Sequence, residues 1–129
     1  MPTSAQRFAK ALDAEDYELA RCLLHADCRY TCRGETYIGP DEIVDSYRKN
    51  GTLAKKFDAI EYDSNVIAES DTEFRIEFVD HIRHQGNSLT FHCEQRVVVD
   101  PSGLIVEIWH VDLDGQVEAL NKFKSLCFG

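Results

Sequence analysis

Four polar residues stand among apolar ones in the C-terminal half of the chain, and together they could carry out chemistry: Asp80, Gln95, His110 and Asp112. Burial raises the pKa of an aspartate toward neutral pH, and histidine changes charge in the same range, so this pair is typical of general acid–base catalysis. We predict that Asp80 and His110 move protons and that Asp112 orients the imidazole of His110. The Gln95 amide is predicted to bind a carbonyl group.

Each of these residues also has a structural explanation. Asp80 could lie solvated at the mouth of a pocket or hold a tyrosine or arginine side chain, and His110 could be a core histidine with satisfied ring nitrogens. Asp112 could cap the helix that follows it. The Gln95 amide could satisfy a buried backbone group. The sequence leaves these alternatives open.

Three strands must position these residues, because alternating runs flank two turn signals. Gly86-Asn87 separates residues 74–84 from 89–99, and Asp100-Pro101-Ser102-Gly103 separates the second run from 104–113. Both patterns are typical of hairpins. Counting outward from the turns predicts Asp80 opposite Cys93, and Cys93 opposite His110.

One face of these strands is then a largely apolar wall that carries the polar candidates. We expect its residues Phe78, Cys93, Gln95 and Ile108 to contact a ligand, whereas His84, next to the turn, is expected to be exposed. The full predicted face is Ile76, Phe78, Asp80, Ile82, His84, Phe91, Cys93, Gln95, Val97, Val99, Val106, Ile108, His110 and Asp112.

The opposite face carries charged residues around an apolar centre formed by Val79, Val98, Trp109 and Val111. One interpretation is a solvated sheet face with cross-strand ion pairs. The other is a subunit interface, since an apolar centre with a charged rim is typical of interfaces. We expect a homodimer that forms through Val79, Val98 and Trp109.

Composition limits the classes of function. With 129 residues and 43% hydrophobic content, we predict a single domain over residues 1–129. The net charge of −9 argues against nucleic-acid binding, because phosphate backbones would be repelled. No segment has the length and apolarity of a membrane span or a secretory core, so we expect a cytoplasmic protein that does not bind membranes.

Cysteines and cofactor motifs add little. The odd number of five cysteines indicates reduced thiols. Cys22, His25, Cys28 and Cys32 have the ligand types of a zinc site, but their spacing matches no common zinc pattern, so structural thiols are the alternative that we favour. The chain contains no glycine-rich phosphate loop, nucleophile elbow or metalloprotease motif, and we expect neither a cofactor nor a metal.

The order of elements predicts an α+β fold. Three helices, near residues 4–12, 16–25 and 40–50, enclose a small hairpin of strands at 29–33 and 37–38. A strand at 57–68 then begins a four-stranded antiparallel meander, and a helix at 113–126 closes the chain. Helices on one face of a curved antiparallel sheet make a cone whose interior is a natural pocket.

This arrangement resembles the nuclear transport factor 2-like superfamily, which includes SnoaL-like polyketide cyclases and ketosteroid isomerases. The segments that carry the resemblance are residues 8–16, 25–30, 37–43 and 100–108. The resemblance implies a cystatin-like, cone-shaped α+β barrel over nearly the whole chain, and it implies a homodimer.

The resemblance transfers chemistry only in part. Ketosteroid isomerases use a tyrosine and a protonated aspartic acid as an oxyanion hole and another aspartate as base. At the matching positions this chain has Phe8, Gln95 and Cys32, so we do not expect steroid isomerase activity, and Phe8 and Cys32 are expected to contact a ligand. SnoaL-like cyclases place a histidine and an aspartate on the inner wall, which is similar to the residue types found here.

We therefore predict a cofactor-free acid–base enzyme of SnoaL-like type: an isomerase, cyclase, dehydratase or hydrolase. Its substrate would be a small hydrophobic molecule with a carbonyl or hydroxyl group. The alternative is a non-catalytic module that binds a small ligand or acts as a protein-interaction dimer.

Overall fold

A computed structural model, which describes residues 2–129, confirms the α+β fold, with a curved six-stranded sheet and helices at the N-terminal end of the chain. The elements are α1 (Ser4–Asp13), α2 (Tyr17–Cys22), β1 (Leu24–Cys32), β2 (Glu35–Ile38), α3 (Pro40–Ala54), β3 (Ala59–Ala68), β4 (Glu73–His84), β5 (Asn87–Val99), β6 (Ile105–Asp112) and α4 (Gln116–Phe128). None of the helices within this range is long and apolar enough to cross a membrane.

The strands lie in the order β2-β1-β6-β5-β4-β3. The predicted meander of β3 to β6 is antiparallel throughout, and β1 joins it as the parallel neighbour of β6. This contact brings the end of β1 close to the end of β6, although the two strands lie far apart in sequence. Residues of the N-terminal hairpin can therefore complete a site on the later strands.

The first predicted register is wrong by two residues. The turn is Gln85-Gly86 rather than Gly86-Asn87, because Gln85 adopts a left-handed conformation with φ 48° and His84 pairs with Asn87. Asp80 therefore lies opposite Phe91, and Cys93 lies opposite Phe78. Because the shift is an even number, every side chain of β4 and β5 keeps its predicted face.

The second predicted register is also wrong, since Cys93 pairs with Asp112 and not with His110. The Asp100 carboxylate accepts hydrogen bonds from the backbone N–H groups of Ser102 and Leu104, and these hold a longer turn. The register then shifts between Val98 and Val99 of β5. As a result Ile105, rather than the predicted Val106, is fully buried.

The helices cover the concave side of the sheet and build the core. Thr3 caps α1 in a capping box with Gln6, which fixes the start of the helix that buries Phe8 and Ala9. The main core joins α1, α2 and α3 to one end of the sheet. A second cluster forms where α4 packs Phe123 onto Ile82 and Phe91 near the other end.

Some predicted boundaries differ. The third helix continues through Gly51 to Ala54, and a Cβ added at Gly51 would lie 2.6 Å from the Tyr17 hydroxyl, so the Tyr17 side chain would have to move. The fourth helix begins at Gln116 after Gly115, so the proposed cap by Asp112 is wrong. His84 is buried rather than exposed, and its Nδ1 accepts a hydrogen bond from the Asp58 N–H at 3.2 Å.

Candidate active site

A cavity of about 310 Å³ lies on the concave side of the sheet. Every helix and every strand except β2 contributes to its wall. Six of the predicted residues line it, namely Cys32, Phe78, Asp80, Cys93, Gln95 and His110. They are brought together by strands β1, β4, β5 and β6, whose inward faces meet there.

Two predicted ligand contacts lie elsewhere. Phe8 and Ile108 are fully buried in the main core, and neither lines the cavity. Both side chains are large and apolar, and residues of this kind are usually buried in the core because they have no group that needs a hydrogen-bond partner. Phe8 still supports the site, since its ring packs edge-on against Tyr47 with 5.8 Å between the ring centroids.

A hydrogen-bonded group formed by Gln95, Tyr30 and Tyr47 makes one end of the cavity, which we call the tyrosine–glutamine end. The Tyr47 hydroxyl donates to Gln95 Oε1 at 2.7 Å, and Gln95 Nε2 donates to the Tyr30 hydroxyl at 3.1 Å. The two tyrosine rings stack with 5.1 Å between centroids. Burial raises the pKa of both tyrosines, so both hydroxyls keep their protons at neutral pH.

His110 extends this group toward the protein surface. Its Nδ1 lies 3.3 Å from Gln95 Nε2, and its Nε2 lies 2.8 Å from Asp112 Oδ1. The Arg33 guanidinium donates two hydrogen bonds, of 2.7 and 2.8 Å, to the Asp112 carboxylate. Mainly because of the Arg33 hydrogen bonds, the pKa of Asp112 is lowered to about 2, and the carboxylate is ionised.

These partners assign the histidine tautomer. An ionised carboxylate only accepts hydrogen bonds, so His110 Nε2 carries a proton, and in the neutral imidazole Nδ1 then accepts from the Gln95 amide. Both ring nitrogens are thereby occupied by protein groups. Asp112 contacts His110 as predicted but does not itself line the cavity.

Asp80 stands apart from this network. Within the described part of the chain its carboxylate has no hydrogen bond and no ion pair, although it lines the cavity. Burial, and next to it the negative charge of Asp13, raise the pKa of Asp80 to about 6, while His81 opposes the rise. A carboxyl group with such a pKa exchanges its proton readily near neutral pH.

Asp13 is a second carboxyl group on the same wall, at the end of α1. It accepts a hydrogen bond from the Ser64 hydroxyl, and burial raises its pKa. Tyr62, the cross-strand partner of Asp80, also lines the cavity, and burial together with the Asp80 charge raises the pKa of Tyr62 to about 12. Sequence patterns gave no sign that Asp13 belongs to the site, because α1 reaches the wall only in the folded chain.

The predicted alignment of Asp80 with His110 in one cross-strand row is wrong. Asp80 pairs with Phe91, whereas His110 pairs with Gln95, four residues further along β5. Their backbones are therefore separated by roughly 14 Å along the strands and about 10 Å across them. Apolar side chains and the neutral thiol of Cys93, whose pKa burial raises to about 12, lie between the two polar ends.

The four residues with zinc-ligand types do not act as a unit in this fold. Cys22 is exposed at the end of α2, and Cys28 is buried in the main core. Cys32 lines the cavity, whereas His25 Nδ1 accepts a hydrogen bond from the Asp27 N–H at 3.0 Å. The crossing from α2 into β1 accounts for this divergence.

No protein-family model matches the sequence, and no curated protein matches it. Solved structures do share the fold. An NTF2-like protein of unknown function from an Exiguobacterium species has a TM-score of 0.68 at 16% identity, covering 87% of this chain and 99% of that one. A protein from Shewanella putrefaciens, assigned as a SnoaL-like polyketide cyclase, has a TM-score of 0.72 at 14% identity, covering 98% and 88%.

A Mycobacterium tuberculosis protein solved in complex with estradiol-17β-hemisuccinate is similar as well. Its TM-score is 0.64 at 14% identity, and the alignment covers 88% of this chain and 93% of that one. At these identities the likeness concerns the fold alone.

Proposed function

We propose that this chain, which has the nuclear transport factor 2-like fold, is an enzyme that moves a proton on a small hydrophobic molecule held in the cavity. The observation that carries the proposal is the Asp80 carboxyl group, which lines the cavity without a protein partner and has a pKa raised to about 6. Asp80 is half-buried, and a poorly solvated carboxylate without a partner is costly for the fold, so its presence in a cavity favours a functional role.

Asp80 is the proton-transfer residue in this proposal. At neutral pH it is ionised, and because it is poorly solvated it is a stronger base than an exposed aspartate. It takes a proton from an acidic C–H or O–H group of the ligand and returns it to a second position or to water. General acid–base catalysis of this kind contributes about 10²–10⁴-fold to a rate.

Tyr30 binds the ligand's oxygen at the other end. Its hydroxyl oxygen already accepts a hydrogen bond from Gln95, so Gln95 does not use the hydroxyl proton of Tyr30. That proton can turn to Tyr47, to Cys32 or to a carbonyl oxygen in the cavity. A hydrogen-bond donor held in an apolar site stabilises the negative charge that develops on an oxygen when a neighbouring proton leaves.

His110 has a different role from the one that its sequence position suggested. Because both ring nitrogens are occupied, by Gln95 and by Asp112, we assign it to holding the Gln95 amide rather than to direct proton transfer. Asp112 keeps its predicted role of orienting His110. The proposed proton carrier is then Asp80 alone.

The ligand is proposed to be elongated and mainly apolar. Along the strands Phe78 and Cys93 lie between the two polar ends, and about 310 Å³ is within the range of small-molecule sites. A two- or three-ring molecule with an oxygen at one end fits this description. The steroid ester bound by the similar Mycobacterium tuberculosis protein has four rings and is likewise elongated and mainly apolar.

Exchange of ligand hydrogens with solvent tests the proposal. 2-Tetralone, a bicyclic ketone, and octalone, a bicyclic enone, would be incubated with the 129-residue protein in D₂O and followed by proton NMR. We expect the protein to accelerate deuterium incorporation and Asp80→Asn to lower that rate at least 100-fold. The control is Asp71→Asn, which changes an exposed aspartate in the loop between β3 and β4 and should leave exchange unchanged.

The other outcomes decide between functions. If the ketones bind but no hydrogen exchanges, the chain is a ligand-binding module and the catalytic proposal is wrong. If exchange occurs at the same rate in Asp80→Asn, another group moves the proton. Lack of both binding and exchange across the two probes would contradict the proposed ligand class.

We also propose that the chain forms a homodimer through the outer face of the sheet. Val79, Val98 and Val111 are half-buried there, and Trp109 on the same face is 38% exposed. A glutamate in place of Trp109 should give a monomer by sedimentation, while Ile38→Glu, at an exposed position on the edge strand β2, should not change the mass. A wild-type monomer at micromolar concentration would contradict the proposal.

A further inference from the structure

Arg33 occupies a turn whose backbone geometry is unusual for its residue type. The turn Arg33-Gly34 joins β1 to β2, and Cys32 pairs with Glu35 directly across it. Arg33 has φ 49°, in the left-handed region that residues other than glycine, asparagine and aspartate seldom adopt. The conformation places the guanidinium against the end of β6, the neighbour of β1, where Asp112 lies 79 positions away in sequence.

We propose that Arg33 is a positioning residue whose ion pair with Asp112 fixes the order of protons in the tyrosine–glutamine end of the cavity, so that the Tyr30 hydroxyl is the group that donates to a ligand. The identity of that ligand oxygen rests on the proposed function. The proton order does not, because it follows from contacts within the protein.

The first step is the ion pair. Arg33 Nε and Nη2 donate to the two oxygens of Asp112, and Asp112 Oδ1 also faces His110 Nε2. A planar bidentate pair of this kind fixes both the charge and the direction of a carboxylate. Because the carboxylate can only accept hydrogen bonds, it requires a proton on His110 Nε2.

The second step passes through the histidine ring to Gln95. In the neutral imidazole with its proton on Nε2, His110 Nδ1 has only a lone pair, so it faces the NH₂ side of the Gln95 amide. Gln95 Oε1 is thereby directed to Tyr47, whose hydroxyl must donate to it. The remaining amide hydrogen is donated to the Tyr30 oxygen.

The third step concerns the two hydroxyl groups. The Tyr47 hydroxyl donates its hydrogen bond to Gln95. The Tyr30 hydroxyl accepts a hydrogen bond from Gln95, so its own proton is available to another acceptor. If the Gln95 amide were reversed, Tyr47 would face the NH₂ group and Tyr30 would face the oxygen, and the donor would change. Arg33 therefore decides, through three intervening side chains, which tyrosine offers a proton to the cavity.

Arg33 also lies in the wall of the cavity, so direct contact with a ligand must be separated from positioning. The His110 tautomer in the ligand-free protein makes that separation, because it is set before any ligand binds. Long-range ¹H–¹⁵N spectra of the ¹⁵N-histidine-labelled full chain report which ring nitrogen carries the proton. We expect the Nε2–H tautomer in the wild type, and either a mixture or the Nδ1–H form in Arg33→Gln and Asp112→Asn.

A matched control uses another exposed ion pair. Arg21 pairs with Asp41, and its side chain is 49% exposed, close to the 55% of Arg33. Arg21→Gln should leave the His110 tautomer unchanged. If Arg33→Gln does not fold, Arg33→Lys keeps the charge but loses the bidentate geometry, and it should still give a mixture of tautomers.

Binding adds the functional readout. The affinity for 2-tetralone is compared with that for tetralin, which has the same skeleton without the carbonyl group. We expect Arg33→Gln to lower the preference for the ketone by about threefold to tenfold, the worth of one hydrogen bond, with tetralin affinity unchanged. A direct ligand contact by Arg33 would lower this preference without altering the tautomer.

The outcomes are distinct. An unchanged His110 tautomer in Arg33→Gln overturns the inference even if Asp112→Asn changes it, because the Asp112 carboxylate alone would then set the proton. A changed tautomer, together with a wild-type protein that binds neither ketone nor tetralin, supports the positioning role and counts against the proposed function. A changed tautomer with a lost ketone preference supports both.

Discussion

Replacing Asp80 with asparagine should stabilise the folded protein at neutral pH. The Asp80 carboxyl has a pKa raised from its ordinary value of 3.8 to about 6, mainly because burial penalises the charged form. Between these two pH values the folded chain binds more protons than the unfolded chain. Stability is therefore lost as the pH rises through this window, and the loss is complete once the pH is well above 6.

The magnitude follows from the two pKa values. A rise from 3.8 to about 6 corresponds to about 3 kcal/mol between the fully protonated and fully ionised states. Asparagine removes the charge but buries an amide, which itself lacks a partner, so we expect a net gain of about 2 kcal/mol at pH 8. For a chain of this length that gain is roughly 8 °C in Tm.

Urea denaturation at pH 4 and pH 8 measures the effect. Asp80→Asn should unfold at higher urea than the wild type at pH 8 and within about 0.5 kcal/mol of it at pH 4, with equal m-values. Asp71→Asn, at an exposed loop position, should track the wild type at both pH values. Equal stability of Asp80→Asn and wild type at pH 8 would refute the assignment of Asp80 as a desolvated, unpaired carboxylate.

Two further predictions concern the second core cluster and the thiols. Phe123→Ala should lower the free energy of unfolding by about 3–4 kcal/mol in urea, because the buried ring fills the space under α4, and a loss below about 1 kcal/mol would contradict that packing. Burial raises the pKa of the Cys93 thiol to about 12, whereas Cys22 is exposed. A thiol reagent such as iodoacetamide, followed by mass spectrometry at pH 8, should label Cys22 at least 100-fold faster than Cys93, and similar rates would show that Cys93 is accessible and reactive.

The sequence was sufficient for the fold class and for the four-stranded meander because their signals are local, whereas the pairing of β1 with β6 was not predicted. Alternation along β4 and β5 and the glycine of the Gln85-Gly86 turn identify the hairpin without any knowledge of the rest of the chain. Registers were less predictable. Gln85 adopts a left-handed backbone conformation that its residue type does not predict. The register shift between Val98 and Val99 depends on the hydrogen bonds that close the Asp100 turn. Both shifts moved neighbours along the strands while most side chains kept their face.

The site residues that could be predicted are those for which it was enough to know which face of the sheet the side chain lies on. Asp80, Gln95 and His110 could be placed on one wall from alternation alone, and the structure puts all three in the cavity. Their partners could not be found in this way. Tyr30 and Arg33 come from the N-terminal hairpin, and they reach this wall because β1 is the parallel neighbour of β6, a pairing between segments far apart in sequence.

Phe8 and Ile108, which were predicted to contact a ligand, lie in the core rather than in the cavity wall for a related reason. Phe8 was placed in the pocket by its matching position in a family whose tyrosine there has a hydroxyl group to offer. Phe8 has no such hydroxyl, and its ring is fully buried in the core, where it packs against Tyr47. Ile108 points inward as predicted but is fully buried in the main core. Knowing that a side chain faces the concave side does not reveal whether a helix or a cavity lies above it.

The central claim is that Asp80 is an unpaired carboxyl group, poised to exchange a proton inside the cavity. A pH titration of the full chain, labelled with ¹³C at the aspartate carboxyl groups and followed by NMR, measures this directly, with Asp80→Asn identifying the resonance. The account predicts a midpoint near 6. A midpoint near the ordinary value of 3.8 would show that the group is solvated or paired, and would remove the basis for proton transfer by Asp80.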